Sequence, residues 1–223
     1  MRKTTANLTC LAMVFAVSLV IANVVTAKTV DTHIPFLSST LSFPGAVFCY
    51  AITFLATDVV GELWGKREAR AIVWAGFGCQ VLASVLIFLT GLLPAADAGM
   101  QDAYDLLLGQ NALFALASLS GYVVSQSLDV FVFHRIRQWA HARYTNADGK
   151  RWLWNNASTM LAQAADTLIF ITIAFGLGSG WLLDSAMWPT LLGMIAGQYL
   201  VKLGLAVVDT PVFWFLTRRR REG

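Results

Sequence analysis

Residues 8–27 read LTCLAMVFAVSLVIANVVTA, twenty positions without a charge. A helix of about 20 apolar residues crosses the hydrocarbon core of a bilayer, so this stretch reads as a membrane span. Five more follow, at about 43–60, 71–93, 111–133, 157–177 and 189–216. The gaps between them alternate in charge. Arg2 and Lys3 precede the first span, and Lys66, Arg67 and Arg70 follow the second. Arg135, Arg137, Arg143, Lys150 and Arg151 follow the fourth, and Arg218 to Arg221 close the chain. Of the sixteen Lys and Arg, only Lys28 lies in an opposite gap and only Lys202 inside a span. The positive-inside rule then puts both termini in the cytoplasm. The expected fold is an all-α membrane protein: a six-transmembrane-helix bundle, forming a single integral membrane domain over 1–223, multi-pass in the inner membrane.

Composition agrees. Residues are 57% hydrophobic and 13% charged, about half the 25% charge typical of soluble domains. The net charge of +3 is cytoplasmic bias rather than a nucleic-acid footprint, and Arg218–Arg221 reads as a stop-transfer anchor. Cys10, Cys49 and Cys79 have no close pair and read as small packing residues. Val25-Thr26-Ala27 would serve as a signal-peptide cleavage site, but the apolar run exceeds the 7–15 residues of a signal core, so the first helix reads as retained. The segment 134–156, with His134, His141, Trp139, Trp152 and Trp154, is too short for its own core and has an interfacial composition. Its histidines lack metal spacing, and no cofactor is implied. His33 stands alone in an outer loop, and the outer loops 94–110 and 178–188 are short and acidic. Pro44 and Pro189 stand where a first helical turn tolerates proline, and Pro211 is expected to kink the sixth span just after Asp209.

The polar residues inside the spans carry the functional signal. The fourth span contains Gln126-x-x-Asp129-x-x-x-Phe133 and the fifth Gln163-x-x-Asp166-x-x-x-Phe170. Each puts an amide, a carboxylate and a ring on one helical stripe. The two helices run oppositely, so both pairs are expected to converge on one cavity in the inner half of the membrane. Lys202 and Asp209 lie in the sixth span, Gln80 in the third, Asn23 near the end of the first, and Asp58 and Glu62 at the end of the second. The plainer reading is helix–helix pairing, for example Lys202 with Asp166. Such bonds are worth about 0.6–2 kcal/mol, whereas a charge at the bilayer centre costs about 2.5–3.5 kcal/mol. Asp129, Asp166 and Lys202 are therefore read as lining a substrate or ion pathway, Gln80 and Asn23 are balanced between the two readings, and a solvated cap rivals any role for Asp58. Carboxylate, amide and ring together suit a purine-like heterocycle, an amino acid or a cation. The chemistry gives a polar small molecule and no more.

Longer stretches carry a resemblance. They are Phe54-Leu55-Ala56-Thr57-Asp58, Gly65-Lys66-Arg67-Glu68-Ala69-Arg70, and Gln126-x-x-Asp129-Val130-x-Val132-Phe133-x-Arg135-x-Arg137. Asn156-Ala157-Ser158-Thr159, Asp166-Thr167-Leu168-x-Phe170-x-x-Ile173-Ala174-Phe175 and Lys202 complete the set. In order and spacing the chain resembles the vitamin-uptake-transporter family, best known for bacterial queuosine precursor transporters. The resemblance implies import of 7-cyano-7-deazaguanine or 7-aminomethyl-7-deazaguanine for the tRNA nucleoside queuosine. It also implies a bacterial inner membrane, and adds Asn156 and Asp58 to the substrate-binding candidates Asp166, Gln163, Asp129, Gln126, Lys202, Phe170 and Gln80. Family members carrying the free base queuine or an unrelated vitamin leave the substrate open.

Two other classes compete. One is a membrane-embedded substrate-binding subunit of an ATP-driven vitamin importer, separated by the ATP dependence of uptake. The other is an intramembrane aspartyl hydrolase using Asp129 and Asp166, for which the chain has neither His-Glu-x-x-His nor Gly-x-Ser-x-Gly support, so no catalytic residue is assigned. Six spans are few to enclose a pathway, which leaves room for a homodimer.

Overall fold

The structure, a computed structural model, describes residues 3–143 and 151–217. It is mostly helical. Helix α1 covers Thr5–Val25, α2 Val47–Leu63, α3 Lys66–Gly91, α4 Ala98–Leu108, α5 Asn111–Arg143, α6 Arg151–Ile171 and α7 Trp188–Thr217. A π-helical turn, Thr172–Leu177, extends α6. Among the described residues, four segments are long and apolar enough to cross a membrane: Thr5–Val25, Lys66–Gly91, Ala98–Ala140 and Ala157–Leu177. Pro189 sits in the first turn of α7, and α7 continues through Pro211.

Three expectations change. The chain is not purely helical, because β1 (Thr29–Phe36) and β2 (Ser39–Pro44) form an antiparallel hairpin between α1 and α2. β-branched residues alternating with polar ones, Thr29-Val30-Asp31-Thr32, favour a strand but leave too little hydropathy to mark a span. Pro44 accordingly ends β2 instead of opening a helix. The loop 94–110 contains α4, capped by the Asp97 side chain accepting from Met100 N–H at 2.9 Å. Finally, helix replaces much of the polar segment 134–156, since α5 runs to Arg143 and α6 begins at Arg151.

Apolar packing divides in two. Phe15 and Leu19 of α1, Ala56 and Val60 of α2, and Ile72, Val73 and Phe77 of α3 form one buried cluster. Phe114 and Ala117 of α5, Phe170, Ile171, Ala174 and Phe175 of α6 and its extension, and Leu191 and Met194 of α7 form the other. Gly76 makes the first possible, since a Cβ there would lie 2.8 Å from Phe15 Cδ1. Gly65, at φ +110°, turns α2 directly into α3, a conformation that L side chains rarely adopt.

The hairpin lies along α7. Ser39 Oγ is 3.4 Å from Thr190 Oγ1, the Thr40 carbonyl abuts Gly193, and the Ser42 carbonyl abuts Gly197. β2 thus runs in the direction of α7 over its first turns. Exposed strand edges are excluded from lipid, where backbone groups find no water. Here the glycine face of α7 covers the edge, at a distance that any side chain would forbid.

Gly197→Leu should drive a side chain into the Ser42 carbonyl and lower stability by about 1–3 kcal/mol, read as a reduced melting temperature in detergent. In a background lacking Cys10, Cys49 and Cys79, Ser39→Cys with Thr190→Cys should cross-link on oxidation. Absence of that cross-link would show that β2 does not dock there.

Candidate substrate site

A polar seam runs through the helices of the second cluster and reaches the first. Its centre is an ion pair: Lys202 Nζ of α7 donates to Asp166 Oδ2 of α6 at 2.6 Å. The partners are unequally covered, with side-chain exposures of 5% for Lys202 and 27% for Asp166. The carboxylate is therefore the open side of the pair. Its other oxygen rests on α5, where a Cβ on Gly121 would lie 2.8 Å from Asp166 Oδ1.

Helical spacing populates the surroundings. On α6, Gln163, Thr167 and Phe170 stand within one turn of Asp166, and on α7 Gln198 stands one turn before Lys202. Phe170 is buried and meets the Tyr50 ring of α2 edge-on, with centroids 6.3 Å apart. Tyr50 Oη lies 3.2 Å from Ser118 Oγ of α5, and Ser118 donates to Asn23 Oδ1 of α1 at 3.0 Å. Because the single Ser118 proton is used on Asn23, Tyr50 must be the donor to Ser118. Asn23 Nδ2 ends the relay on the Leu19 carbonyl at 3.0 Å. Three neighbouring buried atoms have no hydrogen-bond partner: Gln163 Oε1, Thr167 Oγ1 and Gln198 Oε1. Buried polar atoms are ordinarily paired, so these three hold unused hydrogen-bonding capacity.

The other sequence candidates lie elsewhere. Gln80 donates from Nε2 to Ser84 Oγ at 3.1 Å and to Asn111 Oδ1 at 3.2 Å, and Ser84 donates to Asn111 at 2.8 Å. That network ties α3 to the start of α5, ten residues or about 15 Å along the helix from Gly121. Asp129 is half-buried with Oδ1 unpartnered, but lies eight residues, or about 12 Å, from Gly121 in the other direction. Gln126 is exposed, as is Asp58 at the far end of α2. The structure therefore separates the two Gln/Asp pairs instead of joining them at one level. The side chains of Asn156 and Asp209 lie outside the described residues.

Comparison with known proteins fits this architecture. Residues 44–216 match a family described as "Putative vitamin uptake transporter". The chain is 35% identical over 195 residues to the "Probable queuosine precursor transporter" of Bacillus subtilis (strain 168), covering 86% of this chain and 76% of that protein. It is 33% identical over 129 residues to the "Queuosine precursor transporter" of Escherichia coli (strain K12), covering 57% and 53%. A "Probable queuosine precursor transporter" of Haemophilus influenzae is 31% identical over 140 residues, covering 61% and 50%. The chain belongs to the vitamin uptake transporter family. It spans about half the length of the Escherichia and Haemophilus relatives. No solved structure matches it.

Membership of the vitamin uptake transporter family, with its apolar helices, makes the chain a multi-pass inner-membrane transporter and not an enzyme. Within this family member, the sequence reading missed Tyr50, Ser118, Gly121, Thr167 and Gln198. Two signals were available. Gln198 precedes Lys202 by one turn in an apolar helix, and Gly193-x-x-x-Gly197 marks a close backbone approach.

Lys202→Ala leaves Asp166 charged without its partner, and should cost about 3–5 kcal/mol. Size-exclusion profiles in detergent should show loss of the folded peak. Adding Asp166→Ala should restore that peak. Normal folding of Lys202→Ala alone would assign the pair no structural weight.

Proposed function

We propose that this protein imports queuosine precursors, 7-cyano-7-deazaguanine or 7-aminomethyl-7-deazaguanine, through six spans with both termini in the cytoplasm. The relatives named as queuosine precursor transporters support it. So does the chemistry of the seam, and the observation that carries the proposal is the Lys202–Asp166 pair. Its ammonium is a donor and its carboxylate a double acceptor. The pairing edge of a 7-deazaguanine presents the complement: a carbonyl acceptor, then a ring N–H, then an exocyclic amino group. A substrate reaching the open Asp166 carboxylate gives its two donors to the oxygens and its carbonyl to Lys202. The ion pair is loosened and both charges stay satisfied. Phe170 and Tyr50 supply ring surface for the flat base.

In cells unable to synthesise 7-deazaguanines, uptake of the labelled bases should depend on this protein. Asp166→Asn replaces one acceptor by a misplaced donor and should cost about 1–3 kcal/mol of binding, roughly a 5- to 160-fold loss. Asp166→Glu should fail by displacement. Normal uptake by correctly inserted Asp166→Asn protein would overturn the assignment. Persistence of uptake after ATP depletion at a maintained ion gradient separates this reading from an ATP-driven importer.

For the orientation, tags within 97–105 or beside Asp184 should be labelled from outside and tags within 140–150 only from inside. Labelling of 140–150 from outside would reverse it.

A further inference from the structure

The ion pair accounts for one edge of a 7-deazaguanine and leaves the group at its position 7 unread. On the base, position 7 lies beside the carbonyl, and so on the Lys202 side. One turn from Lys202 along α7, about 6 Å towards the hairpin, stands Gln198. Gln198 is 4% exposed and its Oε1 has no partner. Buried in an apolar helix, an amide carbonyl of this kind is destabilising unless something donates to it.

The surroundings at this level narrow the donor. Phe170 is one turn from Asp166 in the same direction, because α6 and α7 run oppositely, and the Tyr50 ring lies edge-on to it. Met194, one turn further along α7, packs in the same cluster as Phe170. The level offers an acceptor and two aromatic rings, the combination that holds an ammonium through a charge-assisted hydrogen bond and ring quadrupoles. A nitrile brings no donor, so in the amide orientation seen here it leaves the Gln198 carbonyl unpaired. Asp166 offsets the nearest cation, Lys202, so a second ammonium about a turn away is tolerated.

We infer that Gln198 is a substrate-binding residue that reads the position-7 group and makes the site prefer 7-aminomethyl-7-deazaguanine to its 7-cyano counterpart. The inference rests on the import function proposed above. Thr167 and Gln163, whose Oγ1 and Oε1 are also unpartnered, stand on the Asp166 side of the pair, where the 2-amino group would lie.

The test is competition between the two bases for uptake of one labelled base, in cells unable to make either. Wild type should prefer the aminomethyl base by about tenfold or more, the usual worth of a hydrogen bond to a charged group. Gln198→Leu should erase that preference, with its size-exclusion profile in detergent as the check on folding. Gln198→Glu, which sets a carboxylate against the ammonium, should keep or widen the preference. An equal or cyano-favouring wild type, or a ratio unchanged in Gln198→Leu, overturns the role of Gln198 and leaves the import function standing. Parallel loss of both bases in Gln198→Leu and in Gln198→Glu shows a structural residue and overturns it equally. If wild type takes up neither base, the import function itself fails, and this inference with it.

Discussion

A lysine and an aspartate facing each other inside an apolar bundle constrain nearly everything around them. Either charge alone would cost about 2.5–3.5 kcal/mol or more at the bilayer centre, so the Lys202–Asp166 contact at 2.6 Å fixes α6 and α7 to one another. Asp166 also sets the spacing of α5, which carries glycine at position 121 where the carboxylate rests. Yet the pair is asymmetric. Lys202 is enclosed and Asp166 is partly open, so a ligand approaching the seam meets an anion first and the cation only after displacing it. A pair that presents its acceptor outward is suited to a ligand that brings both donors and an acceptor.

The hairpin obeys a different rule. Two paired strands keep two outer edges. That of β2 is covered, with the Thr40 and Ser42 carbonyls pressed onto Gly193 and Gly197, while β1 carries the exposed Asp31 and His33. Weak Cα–H···O contacts suit such an approach, and the Ser39–Thr190 hydroxyl contact is the single side-chain hydrogen bond between β2 and α7 among the described residues. Within the hairpin, His33 takes φ +58° at an irregularity between Asp31 and Pro35. The Asp31 carboxylate accepts its N–H at 2.8 Å. That hydrogen bond, followed by one from the Thr40 side chain, holds the Asp31 carboxyl below its usual pKa. The hairpin is thus well ordered within itself and lightly attached to its neighbour.

Much of this was legible in the sequence, for reasons that also explain the rest. Hydropathy found α1, α3, α5 and α6 because a run of about twenty apolar residues is long enough to cross a membrane as a helix. It passed over the hairpin, whose sixteen-residue stretch 29–44 mixes Asp31 and His33 with apolar residues and averages to a loop. The ion pair was legible because few partners can neutralise an intramembrane lysine. The two Gln-x-x-Asp-x-x-x-Phe motifs, identical on paper, part company in space. On α5 the buried face is Asn111, Phe114, Ala117, Gly121 and Ser125. Gln126 is turned about 100° from Ser125 and so leaves that face. On α6 the buried face includes Thr167 and Phe170 and carries the motif inward. Spacing gives a stripe. Which way the stripe faces is decided by neighbouring helices that no single-helix pattern contains.

That distinction bears on how the protein can move. In lipid there is little hydrophobic force between helices, and close packing of small residues and shape-matched side chains holds them. Each apolar cluster is built from three consecutive helices and their segments, with Gly76 and Phe15 interlocked in one and the Phe114 and Phe175 rings 5.7 Å apart in the other. The seam between them is held by hydrogen bonds of a different kind: Tyr50 to Ser118 and Ser118 to Asn23. Such bonds average well under 2 kcal/mol in membranes because alternative partners are at hand. A substrate that brings its own donors and acceptors supplies those alternatives. The bonds of Tyr50, Ser118 and Asn23 are therefore the ones suited to exchange between the clusters, while the Lys202–Asp166 pair joins two helices of a single cluster.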